Sequence, residues 1–213
     1  QAMRYRFFRE GARVDLGLVL LGLWLLSLLY PGSLLFGNGD LRAAFSTPGG
    51  ELHPAEIFIR FEFLVVAANT VAVGLLLALL AGRNQPVRII FLAVVILALA
   101  TRSIAYGVLF SSQSSFDWLT PGASLGLVSG VLIVVILANV ARGAKVVLCG
   151  LMLMAATALV NYAPENPYFL ASIAIWRQGH FLNFNGFTRV LSAAWPFLAL
   201  VYVLALAGAR EHD

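Results

Sequence analysis

The sequence predicts an all-α fold: a polytopic transmembrane helical bundle of about six spans with a short outer interfacial helix, forming a single integral membrane domain over residues 1–213. Three observations predict it. Apolar residues make up 61% of the chain and charged ones only 11%, far from the balance of a water-soluble globule. Apolar runs recur at lengths near the roughly 20 residues that carry a helix across the hydrocarbon core. Those runs do not alternate, as the segments of about ten residues in a membrane β-barrel would.

The first span covers about Val14 to Tyr30 and is ended by Pro31-Gly32, and the second covers about Ile57 to Ala81 and is ended by Gly82. The third runs from about Val87 to Phe110, the fourth from Ala123 to Val140, the fifth from Lys145 to Val160 and the sixth from Thr188 to Ala207. No internal repeat relates one half of the chain to the other, which weighs against a transporter built from inverted repeats.

Charge orients the bundle. Arg4, Arg6, Arg9, Arg13, Arg83, Arg88, Arg142, Lys145 and Arg210 fall on one side, and Arg42, Arg177 and Arg189 on the other, with Arg60 near its boundary. The positive-inside rule then predicts a multi-pass membrane protein with both termini cytoplasmic. The long connections 31–56 and 161–187 are expected outside. The net charge of +4 flanks apolar helices, so it reads as an orientation signal and not as a nucleic-acid surface. The single cysteine, Cys149, excludes an internal disulfide and a Cys-rich metal site. No cleavable signal peptide is expected, because the first apolar run is a full span without a small-residue cleavage pattern. Gln1-Ala2 ahead of Met3 reads as added sequence, the natural chain starting at Met3 or further upstream.

Polar residues concentrate in one outer stretch, WRQGHFLNFNGFTR, from Trp176 to Arg189. Upstream of it, Asn166-Pro167 is a helix-start signal and Gly179 a stop, with Phe169, Ile173 and Trp176 on one face. That helix is too short to span and is expected to lie along the outer interface. Asn185-Gly186 can form a turn or cap the sixth span. His180, Asn183 and Asn185 offer hydrogen bonds beside Phe181, Phe184 and Phe187, a mixture suited to a sugar, peptide or lipid headgroup. The same residues also suit a loop that satisfies its own backbone.

Glu62 and Arg102 fall at matched depth, roughly 10 Å inside the outer ends of the second and third spans. Unpaired charge is costly there, so a Glu62–Arg102 bridge is expected, either as a clamp or as the lining of an outward-facing pocket. Glu56 and Arg60 can pair at i, i+4 on the helix surface. Gly122, Gly126 and Gly130 form a small-xxx-small row that lets two helices approach closely.

No catalytic, metal or cofactor motif is present: neither HExxH, nor Gly-x-Ser-x-Gly, nor a paired Asp motif within the spans. Cys149 and His180 are expected at opposite membrane faces and cannot form a nucleophile–base pair. Glu51, Glu56, Glu165 and His53 have no diagnostic spacing.

The wording FFREGARVDLGLVLLGLWLLSLLYPGSLLFGNGD, ELHPAEIFIRFE, NYAPENPYF and WRQGHFLNFNGFTRVLSAAWPF resembles the C-terminal membrane region of long proteobacterial VanZ-like family proteins. The resemblance covers most of the chain. It implies a bacterial inner (cytoplasmic) membrane protein of the cell envelope with a link to glycopeptide resistance, and it carries no catalytic residues. In that family the region follows a compact four-helix domain with no recognisable counterpart in these residues, so a fragment or a stand-alone relative is expected.

The leading expectation is a non-enzymatic envelope protein whose outward-facing pocket (Glu62, Arg102, Trp176, His180, Asn183 and Asn185) binds a lipid or cell-wall-related ligand. The alternatives are a membrane enzyme acting on a lipid-linked substrate with Glu62 or His180 as acid–base residue, and a scaffold subunit whose glycine row docks a membrane protein partner. Membrane lipids are partners in every case; no cofactor, metal or nucleic acid is expected.

Overall fold

The computed structural model describes residues 8, 11–42, 54–82, 85–109, 115–164 and 182–208. Among them it is all-helical: α1 (Ala12–Ser27), α2 (Ala55–Leu80), α3 (Val87–Leu109), α4 (Pro121–Leu137), α5 (Arg142–Tyr162) and α6 (Leu182–Gly208). Four segments are long and apolar enough to cross a membrane: Ala55–Leu80, Val87–Val108, Arg142–Tyr162 and Gly186–Gly208. At 16 and 17 residues, α1 and α4 fall short of that length.

Local chemistry explains the shortening of α1. The hydroxyl of Ser27 donates to the Trp24 carbonyl at 2.6 Å. The amides of Leu28, Leu29 and Tyr30 then turn to the carbonyls three residues back, at 3.1–3.2 Å, which tightens the last turn before Pro31. At the other short helix, Thr120 caps the start of α4 by accepting from the Ala123 amide at 3.1 Å, and Pro121 occupies the first turn. The start of α6 lies earlier than its sequence signals, at Leu182, so Asn185-Gly186 sits inside the helix and neither turns the chain nor caps it.

α2 is the axis of the bundle. From Val65 to Ala81 it is buried almost without interruption, and it carries no charge beyond Glu62. Its closest neighbours are α4 and α5; α1 and α6 pack beside each other, and α6 also against α5. The glycine row of α4 sits directly on α2. A Cβ at Gly122 would come within 2.7 Å of the Ile59 carbonyl oxygen, one at Gly126 within 2.6 Å of the Phe63 carbonyl oxygen, and one at Gly130 within 2.6 Å of Thr70 Cβ. Backbone therefore meets backbone along this seam. The row is occupied within the chain, so it is not a free face for docking a partner helix.

α3 is more peripheral. It turns Phe91, Val95 and Ala98 inward and leaves Ile89, Ile96, Ile104 and Val108 between 62% and 72% exposed, an apolar outer face suited to lipid. One end of the bundle gathers Phe8, Ala81, Arg13 and Tyr202: Phe8 bridges Ala81, and the Tyr202 hydroxyl donates to the Arg13 carbonyl at 2.9 Å. The opposite end holds the segment that follows α1, Leu28 to Arg42. Sequence reasoning expects an outer loop there, yet most of the segment is buried.

Candidate functional site

The buried elbow after α1 poses a physical problem. Buried backbone outside a helix must find protein partners for its polar atoms. Arg102 of α3 supplies the donors. Its Nη1 donates to the Leu28 carbonyl at 3.2 Å and to the Tyr30 carbonyl at 2.5 Å. Its Nη2 donates to the Pro31 carbonyl at 3.4 Å and to the Ser33 carbonyl. The guanidinium lies 4.9 Å from the centre of the Tyr106 ring, and the Tyr106 hydroxyl reaches the Pro31 carbonyl at 3.4 Å. A guanidinium is all donor and no acceptor, and a cation at a helix C-terminus is favoured by the helix dipole.

The expected Glu62–Arg102 bridge is thereby corrected. Arg102 is only 1% exposed and is neutralised by carbonyl dipoles, not by a carboxylate. Depth counting along helices sees the two charges but not the carbonyls that the elbow brings to Arg102. Glu56 and Arg60 likewise stand exposed on α2 without an ion pair between them.

The second half of the elbow docks on α5 and α6. Pro196 lies inside α6 and has no amide hydrogen, so the carbonyl of Ser192, four residues earlier, loses its helical donor. The Gly39 amide takes that place at 2.8 Å. Gly39 has φ +89, and a Cβ there would come within 2.8 Å of Pro196 Cγ, so both backbone conformation and space require glycine. Asn38 Oδ1 accepts from the Ser192 hydroxyl at 2.9 Å and lies 3.3 Å from the Ser27 hydroxyl. Asn161 of α5 reads the same turn, donating to the Gly39 carbonyl at 2.8 Å and accepting from the Leu41 amide at 2.9 Å. Asp40 pairs with Arg42 at 2.7 Å, and Arg42 also donates to the Ala163 carbonyl. Phe36 has φ 57, a conformation costing about 1–2 kcal/mol for a side chain of this kind, and is held there by Trp24 at 5.0 Å between ring centres.

Glu62 presents the contrary case. Its Oε2 accepts from the Thr120 hydroxyl at 2.5 Å, and among the described residues no cation pairs with it. Gly122 makes room for it: a Cβ there would come within 2.7 Å of Glu62 Oε2. The carboxylate is half-buried between α2 and α4, near the N-terminal ends of both helices. It can accept further hydrogen bonds and balance a positive charge.

Trp176, His180 and the expected interfacial helix lie outside the described residues, as do Glu51, His53 and Glu165. Asn183 and Asn185 lie in the first turns of α6, their side chains outside the described set. Cys149 is buried, with Sγ 3.4 Å from the Ala72 carbonyl oxygen, and serves the α2–α5 contact. Among the described residues no three metal-ligating side chains cluster. Sequence reasoning missed Thr120, Asn38, Asn161 and Ser192. Pro196 was the available signal, because a proline within an apolar helix announces a carbonyl in need of a donor. No family model, curated protein or solved structure matches the chain.

Proposed function

We propose that this chain is a non-enzymatic protein of the bacterial inner membrane that binds a lipid or cell-wall-related ligand at its outer mouth. In this reading all six helices are membrane-embedded, α1 and α4 included, with both termini and the basic connections in the cytoplasm. The resemblance to the VanZ-like group supports a cell-envelope role. The observation that carries the binding site is Glu62: a carboxylate at membrane depth whose partner among the described residues is a single hydroxyl. Intramembrane charges that structure does not neutralise mark ligand or ion sites. Thr120 fixes one carboxylate oxygen, which leaves the other for a donor such as the amine or hydroxyl of a headgroup. Arg102 acts in this reading as a positioning residue that holds the elbow beside the mouth, and not as a ligand contact.

Native mass spectrometry of the protein extracted from bacterial membranes tests the proposal. The parent is expected to retain a bound lipid or cell-wall precursor, and Glu62→Gln to lose it while melting within a few degrees of the parent. Retention of the same ligand by Glu62→Gln, or no ligand on the parent, defeats the reading.

A further inference from the structure

At the end opposite the elbow, a cavity of about 1040 Å³ opens between the α2–α3 and α4–α5 connections. Arg88, Arg142 and Lys145 line it, with Gln85 and Asn139 as neutral polar neighbours and, among the described residues, no Asp or Glu in its wall. The three cations come from two separate segments, so the fold is what gathers them. Arg88 is exposed and has no hydrogen-bond or ionic partner among the described residues. Arg142 closes the end of α2 by donating to the Leu79 carbonyl at 3.2 Å and is half-buried, as is Lys145. The first turn of α5 also faces this space, and its N-cap, Ala141, has no side chain able to cap it. Helix amides left without acceptors add to the positive potential.

We infer that this cavity binds the phosphate group of an anionic ligand at the basic end of the bundle. Positive-inside signalling accounts for basic residues in the connections. It does not require them to share one cavity. A phosphate group is opposite in charge to these side chains, and Arg with Lys supplies both forked and point-charge donors. The cavity opens beside exposed Ile89, where an acyl chain could lie along α3 while its phosphate enters. An anionic lipid headgroup and a soluble phosphate share this chemistry, and the two sources are separable by experiment. The inference is independent of the Glu62 site.

The test uses the full chain, delipidated in a nonionic detergent, with dioctanoyl phosphatidylglycerol, dioctanoyl phosphatidylcholine and inorganic phosphate as probes. Phosphatidylglycerol is expected to bind at least about tenfold more tightly than phosphatidylcholine. Arg88→Gln is expected to weaken phosphatidylglycerol binding several-fold, and Arg88→Gln with Lys145→Gln by about tenfold or more. Arg88→Gln alone leaves no described partner unsatisfied and is expected to melt like the parent, so its binding result stands even if the double variant folds poorly. Inorganic phosphate binding with the same loss in both variants supports the site with a soluble source. Equal binding of the two lipids without any phosphate binding, or unchanged phosphatidylglycerol binding by Arg88→Gln, overturns the inference and leaves these residues as topology signals only.

Discussion

The elbow around Arg102 and the α2–α4 seam around Glu62 hold the two charges that sequence reasoning expects to pair, and the fold treats them in opposite ways. Arg102 donates to four carbonyls of one backbone turn and rests on an aromatic ring. Glu62 has one hydroxyl. A charge at membrane depth is thus not functional by its presence alone. Where backbone dipoles surround it, the charge is part of the scaffold, and a structure without it would leave buried carbonyls without donors. Where it keeps spare acceptor capacity, as at Glu62, it is the charge on which the proposed ligand site rests.

The comparison can be broken most severely at Arg102. Arg102→Leu leaves the carbonyls of Leu28, Tyr30, Pro31 and Ser33 without their donor. The expected loss is on the order of 3–5 kcal/mol, enough to depress expression or the melting temperature sharply. A thermal melt in detergent checks it, and a variant that melts like the parent refutes the elbow's role.

The α2–α4 seam comes next. Gly126→Leu on α4 would drive a side chain into the Phe63 carbonyl and Val66 of α2. Forcing that seam apart is expected to cost about 1–3 kcal/mol, seen as a lower melting temperature. An unchanged melt would mean that α4 does not rest on α2 along its glycines.

The smallest expected effect sharpens the contrast. Glu62→Gln keeps an acceptor for Thr120, and Arg102→Lys keeps a charge at the elbow. Because Glu62 and Arg102 share no partner in this structure, the double variant should lose the sum of the single losses to within about 0.5 kcal/mol. A coupling above about 1 kcal/mol would restore the direct bridge that the structure replaces.

Much of the scaffold was legible in the sequence. Apolar runs marked all six helices to within a few residues at most ends, and the all-α class followed from their length and lack of alternation. Pro31-Gly32 announced that α1 could not continue, although the helix stops earlier, at Ser27. The spacing of Gly122, Gly126 and Gly130 pointed to a close helix contact, but not to which helix. For the candidate site, the sequence picked out Glu62 and Arg102 as charges in need of an explanation and supplied the wrong one.

By itself the sequence determined the properties that run along a single line: where the chain is apolar, where a helix starts and stops, which ends are basic, and which residues are small enough for close approach. Only the tertiary structure decided who meets whom. The carbonyls that neutralise Arg102 exist because Leu28 to Ser33 fold back beside α3, some seventy residues later in the chain. The Ser192 carbonyl freed by Pro196 is met by Gly39, from the far end of the sequence. Backbone donors and acceptors are the same at every residue and leave no mark in composition or periodicity. Their unpaired members become visible only when the chain is packed and each must find a partner without water.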